Sequence, residues 1–286
     1  MNYLKILGFQ LQLELDCNSK DEYLIPTERY KQELEAMKDI ITKKDSNVII
    51  LPEMSYQEEL FNYWKELSKN KLIVAGSVYN EGVNQTAVFH EEKSYFIPKC
   101  NASGAEPMVR TIKKCSPTDF QQNHLEDHTF FIDRKKIVVL NCMEYYQNAY
   151  YIARNNPDIF AIICICSNNN TQVFKEETKA LHNHCENIYT FMINCISNYM
   201  GKSYAQGESY IYGPIQRHEQ EWLKRDGYNL DNHCSSILNL SNEPEYIYGE
   251  FKNNFSRFGR SDEHENNPRN IEIGKIKVKE RRNLNG

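Results

Sequence analysis

The sequence predicts one α/β domain in which mixed sheets meet inside and helices cover their outer faces. Three observations predict it. Short apolar runs of strand length, such as VIILP at 48–52 and IVVLN at 137–141, alternate with stretches whose apolar residues recur at helical spacing. The segments at 85–90 and 94–98 follow each other too closely for a crossover, so they pair as a meander and the sheets cannot be purely parallel. Finally, 286 residues that are 40 % hydrophobic and 12 % aromatic supply one large core, which excludes disordered and collagen-like chains.

Each element follows in order. Residues 3–13 read as an opening strand, and 27–42 as a helix presenting Tyr30, Leu34, Met37, Ile40 and Ile41 on one face. The run 48–53 is a buried strand ending in Pro52 and Glu53. A helix at 57–69 leads to a strand at 72–78 and then to the meander. From 99 to 127 the pattern dissolves, and irregular stretches of that length in a compact domain usually carry function. Strands return at 129–132 and 136–142, followed by a helix at 145–155, the apolar strand 159–166, a long helix at 172–187 and a strand at 189–196. Further strands fit 208–212, 235–240 and 245–251. The polar tail beyond Lys252 shows only a short alternation at 271–278.

Charge and cysteine content narrow the class. With 34 Lys+Arg against 39 Asp+Glu, interspersed, the net charge of −5 offers no basic face for nucleic acid. No secretory leader pattern opens the chain, and the longest apolar run is far short of a bilayer span, so a soluble protein without membrane contact is expected. Nine cysteines without a CxxC pair point to free thiols in a reducing cytoplasm.

Three apolar strands end in a reactive side chain: Glu53, Lys99 and Cys142. Positions just past strand ends in α/β sheets are where sites are built, because the strand fixes the residue and the loop leaves it reachable. The chemistry is coherent, since a thiol nucleophile needs a base to deprotonate it and a cation where an oxyanion develops. Taken singly, each has a plainer reading: a solvated surface charge, a snorkelling lysine, a small buried hydrophobe. His182, His184 and Cys185, with His233 and Cys234, offer no zinc spacing, because helical residues two apart point about 200° away from each other.

The triplet resembles the nitrilase, or carbon–nitrogen hydrolase, superfamily. VIILPE at 48–53, Lys99 and CME at 142–144 resemble its Glu, Lys and Cys signatures in order. Gln10 and Gln12 lie in a similar opening strand, HCENIYTFMINC at 184–195 is similar to its Glu-Asn helix and following strand, and GESYIYGP at 207–214 is similar to its Gly-x-Ser strand. The resemblance implies a four-layer αββα sandwich with two mixed sheets, a hydrolase domain over 1–252, a tail over 253–286 that packs on it or at an interface, and a homodimer or higher homo-oligomer.

It also implies an activity: hydrolysis of a non-peptide C–N bond of a small amide or nitrile, without metal or organic cofactor. Glu53 is the implied base and Cys142 the nucleophile. Lys99 and the Met143 backbone N–H hold the oxyanion, and a second glutamate is Glu106, with Glu126 as its competitor. Substrate contacts fall to Met143, Glu144, Ser167 and Asn168. Two departures matter. Cys100-Asn101-Ala102 follows the lysine where the family commonly has a His-Leu run. Met143 stands where nitrile-cleaving members have Trp, which favours amides. The alternatives are acyl transfer through the same cysteine and a catalytically silent binding or assembly module.

Overall fold

Along the first strand Leu4, Ile6 and Gly8 alternate with Leu7 and Phe9, and this period of two sends one set toward each side of a sheet. The computed structural model describes residues 3–18, 23–27, 30–101, 115–153, 159–164, 168–184, 188–213, 236–251 and 269–278, with backbone alone at 159–164, 168–170, 183–184, 236–239 and 269. Strands are β1 (Leu4–Gln10), β2 (Gln12–Cys17), β3 (Leu24–Pro26), β4 (Val48–Ile50), β5 (Leu72–Asn80), β6 (Val83–His90), β7 (Lys93–Pro98), β8 (Thr129–Ile132) and β9 (Lys135–Asn141). They continue as β10 (Ile159–Cys164), β11 (Tyr189–Asn194), β12 (Ile196–Tyr199), β13 (Lys202–Gln206), β14 (Tyr210–Tyr212), β15 (Ser236–Asn239), β16 (Glu245–Phe251) and β17 (Arg269–Lys275). Helices are α1 (Lys31–Lys43), α2 (Phe61–Leu67), α3 (Pro117–Asn123), α4 (Met143–Ala153) and α5 (Asn168–His184).

Two large sheets result. The first is seven-stranded, in the order β17-β16-β1-β4-β5-β6-β7, and the second six-stranded, β15-β14-β11-β10-β9-β8. Both are mixed: β1, β4 and β5 run parallel, as do β9, β10 and β11, while the remaining pairs are antiparallel. Leu4, Ile6, Val48, Ile50, Val74 and Val88 of the first sheet pack against Ile137, Val139, Tyr189, Phe191, Ile193 and Ile211 of the second, forming a core between sheets. The intervening residues face outward. Leu7, Phe9, Ile49 and Ile73 meet Leu34, Met37 and Ile41 of α1 and Trp64 of α2. Val138, Leu140 and Met192 meet Tyr145, Ala149 and Ile152 of α4 and Phe174 of α5. The layers are therefore αββα, as the sequence implied. Each such fully buried apolar side chain is worth about 1.5–3 kcal/mol.

The sheets approach closely at Gly8, where a Cβ would lie 2.6 Å from Ile193 Cδ1. A third, four-stranded sheet, β13-β12-β2-β3, arises because β1 and β11 run on past Leu11 and Cys195 as β2 and β12, which pair parallel and join the two halves. The sequence pattern ends the strands at 13 and 196, so most of β2 and β12 lies beyond what it predicts. Within the stretch 99–127, where the pattern predicts no regular element, the chain forms α3. The helix is capped by Ser116, whose Oγ accepts the Asp119 N–H at 3.1 Å, with Pro117 in the first turn. In the tail, β17 pairs with β16 and Ile276 is buried. Among the described residues no helix is long and apolar enough to cross a membrane.

Candidate active site

Glu53 sits on a tight turn just past β4. Met54 takes φ 64°, Ser55 Oγ donates to the Pro52 carbonyl at 2.6 Å, and the Met54 N–H donates to Ser77 Oγ at 3.1 Å. Gly76 makes room for this turn: its φ is +93°, and a Cβ there would come within 2.5 Å of the Pro52 carbonyl oxygen. The position coincides with the irregularity in β5–β6 pairing between Val74 and Ser77. A glycine bulge in one strand thus seats the turn that carries the carboxylate.

Lys99 follows β7, and its N–H donates to the Asn84 carbonyl at 2.8 Å. Its Nζ donates to Glu53 Oε1 at 3.0 Å, and Asn84 Nδ2 donates to the same oxygen at 2.7 Å. The Lys99 and Glu53 side chains are only 1 % and 4 % exposed. Two charges removed from water to that degree persist only as a pair with further hydrogen bonds.

Cys142 occupies the turn between β9 and α4, buried, with φ 51°. A non-glycine residue in the left-handed region costs about 1–2 kcal/mol, and such strain clusters at functional sites. The Tyr145 N–H donates to the Cys142 carbonyl at 3.0 Å, closing the first turn of the helix. Met143 is the first residue of α4, and a helix's first N–H groups have no partner within the helix.

Period two explains why these segments meet. Val139 and Asn141, Val88 and Thr86, and Ile97 and Lys99 are each two residues apart, so the polar member continues the face that its apolar neighbour turns toward the inter-sheet core. Asn141 Nδ2 donates across to Thr86 Oγ1 at 3.2 Å. Glu144, wholly buried, accepts the Cys100 N–H at 2.7 Å on Oε1 and the Asn141 N–H at 2.9 Å on Oε2. Glu144 thereby ties the residue after the lysine to the residue before the cysteine. Glu144, for which the resemblance implies a substrate contact, thus braces these two segments.

Other thiols differ in environment. Burial pushes the Cys100 thiol up, with Glu144 adding to it, and burial together with a smaller contribution from the Glu53 carboxylate pushes Cys195 up to about 12. Burial alone brings His182 down to about 3, and it contacts Thr190 Oγ1 at 3.0 Å as a packing residue. Glu106 and Ser167 lie outside the described residues, as do His233, Cys234, Cys185 and Glu186; Asn168 opens α5, its side chain outside them too. Glu126 is exposed. Sequence reasoning missed Asn84, Thr86 and Asn141. Their signal was polar residues at alternate positions at the ends of apolar strands. Gln10 of the opening strand, noted by resemblance, is a full clamp: its Oε1 accepts from Ser209 N and Oγ, and its Nε2 donates to the Ser241 and Glu243 carbonyls.

Two mixed sheets between helices, with buried polar residues gathered at strand ends, define an αββα sandwich of the nitrilase, or carbon–nitrogen hydrolase, fold. Solved structures establish that likeness. A CN-hydrolase superfamily protein from Xanthomonas campestris, with an arsenic adduct in its active site, superposes with a TM-score of 0.60 at 10 % identity, over 88 % of this chain and 91 % of that one. An amidase from Nesterenkonia sp. gives 0.59 at 12 % identity over 92 % and 95 % of the two chains. A branch 10 nitrilase-superfamily member from Saccharomyces cerevisiae gives 0.57 at 13 % over 86 % and 90 %. A variant of the Nesterenkonia amidase carries the acetamide moiety of fluoroacetamide on its active-site cysteine. No protein-family model matches the sequence, and no curated protein does.

Proposed function

We propose that this chain is a thiol-dependent hydrolase that cleaves a non-peptide C–N bond of a small molecule, of amidase type, through a thioester on Cys142. The observation that carries the reading is the buried Glu53–Lys99 pair at 3.0 Å, set at the sandwich end where Cys142 holds a left-handed conformation. A structural ion pair has little reason to be assembled by a strained turn, a glycine bulge and an asparagine at a strand end.

Glu53 takes the proton of the Cys142 thiol, and Sγ attacks the substrate carbonyl carbon. The electron pair of the C=O bond moves to oxygen, where Lys99 Nζ and the Met143 N–H stabilise the charge. The tetrahedral adduct collapses with the C–N bond breaking, and the leaving ammonia or amine collects its proton from Glu53. The same carboxylate then takes a proton from water, whose oxygen attacks the thioester carbon; the C–S bond breaks, the acid leaves, and Glu53 returns the proton to sulfur. Glu106 is assigned as the second glutamate. Met143 in place of Trp supports amides over nitriles, and the amidase among the structural neighbours supports the same choice. Within this proposal the chain works in the cytoplasm as a homodimer.

Ammonia release from a panel of small amides tests the reading. Activity abolished by Cys142→Ala and by Glu53→Gln is the expected result. Limiting iodoacetamide, mapped by mass spectrometry, should label Cys142 ahead of Cys100 and Cys195, whose thiols burial holds protonated. Preferential labelling elsewhere, indifferent to Glu53→Gln, counts against the site. Turnover only with an added amine acceptor indicates acyl transfer, and a folded chain with an unreactive Cys142 indicates the silent module.

A further inference from the structure

A second group of reactive side chains lies at the base of α3. The chain that leaves Lys99 through Cys100 and Asn101 comes back at Cys115, whose N–H donates to Asn101 Oδ1 at 3.1 Å. Cys115 Sγ donates to Asp119 Oδ2 at 3.0 Å, and His124 Nε2 lies 3.8 Å from that same oxygen. All three donor atoms fall within 4.8 Å of one another. We propose that Cys115, Asp119 and His124 bind a thiophilic divalent cation of the zinc type, at a site separate from Glu53 and Lys99 and independent of the reaction assigned to them.

The donor set, its spacing and its surroundings argue for this. Thiolate and imidazole together select zinc-like ions over magnesium and calcium, which want oxygen alone. Zinc–ligand bonds of about 2.0–2.3 Å at tetrahedral angles put neighbouring donors about 3.3–3.6 Å apart. The two separations, 3.0 and 3.8 Å, bracket that range, so small side-chain rotations complete the triangle. The other Asp119 oxygen, Oδ1, accepts from Asn123 Nδ2 at 2.7 Å, which orients Oδ2 toward Cys115 and His124 as outer-sphere partners of metal ligands do. The His124 ring lies 6.1 Å from that of Phe120, which is fully buried in the core that also contains Cys142. The site is thus anchored below and open above: the Asp119 and His124 side chains are 49 % and 38 % exposed, giving an entry path and a fourth position for water.

The Cys115 thiol proton occupies the hydrogen bond to Asp119 Oδ2. Binding replaces it. The S–H bond breaks, an Sγ–metal bond forms, one proton goes to solvent, and nothing is oxidised or reduced. The neighbouring set of Cys100, His128 and Glu144 is also close-spaced, but both Glu144 oxygens already accept backbone N–H groups, so it serves as the control.

The full chain carrying Cys142→Ser, stripped by a chelator, is titrated with Co²⁺. Expected is a saturable one-to-one thiolate-to-cobalt charge-transfer absorption. It is lost in Cys115→Ser and in His124→Gln, retained in Cys100→Ser, and displaced by one equivalent of Zn²⁺. Circular dichroism confirms that each variant is folded; His124 is exposed enough for its replacement to leave folding intact. Absence of the band, its survival in Cys115→Ser or His124→Gln, or its loss in folded Cys100→Ser would overturn the proposal.

Discussion

Lys99 Nζ donates to Glu53 Oε1 at 3.0 Å in a setting that leaves the two side chains 1 % and 4 % exposed. The pair therefore behaves as a unit. Removing one member strands the other, whereas removing both leaves a polar but uncharged pocket. Lys99→Met is expected to destabilise the chain by about 3–5 kcal/mol, and Glu53→Gln with Lys99→Met to recover part of that loss. Urea denaturation of the two single variants and the double variant measures the coupling, and additive losses would show that the pair is not energetically linked.

Cys142 carries backbone strain that glycine would relieve. Cys142→Gly and Cys142→Ala both delete the thiol, but only glycine adopts φ 51° freely. The glycine variant should be the more stable of the two by about 1 kcal/mol. Their midpoints in thermal melts give the comparison, and a more stable alanine variant would contradict the left-handed turn.

Gly8 fixes how closely the two sheets pack. In Gly8→Ala the new methyl meets Ile193 Cδ1 at 2.6 Å, which should cost about 1–3 kcal/mol as overpacking. Ile193→Val removes that methyl carbon, so the double variant should be more stable than Gly8→Ala alone. Equal stabilities would mean that the sheets separate instead.

Glu33 supplies a pH dependence. Burial raises its carboxyl from 4.5 to about 7, against the opposing hydrogen bond from the Gln12 N–H. A folded value above the unfolded one means that the native chain binds more protons between these limits, so this group's contribution to stability falls as pH rises from 4.5 to about 7. Glu33→Gln removes that fall. The stability difference between variant and parent should grow in favour of the variant across this window and level off above it, as chemical denaturation at a series of pH values would record.

Much of the architecture was legible because period two and period 3.6 are local properties. The runs at 48–53 and 137–141 announced buried strands, and Leu34, Met37 and Ile41 announced the inner face of α1. The start of α3 is legible in Ser116, Pro117 and Asp119, but the polar stretch around it has too few apolar residues to show helical periodicity. The breaks at Leu11 and Cys195 were not legible, since one residue of lost pairing leaves the pattern of hydrophobicity unchanged.

The sequence by itself determined the layer architecture and marked Glu53, Lys99 and Cys142 as strand-end residues, because alternation and strand length depend only on neighbouring residues. Only the tertiary structure decided that Glu53 and Lys99 share a buried oxygen–nitrogen contact with Asn84, that Glu144 ties Cys100 to the turn of Cys142, and that Cys115, Asp119 and His124 converge. These relationships depend on which strand ends lie side by side, on a glycine bulge and on a helix packed over the second sheet. Sequence separation carries no information about such distances until the sheets are assembled.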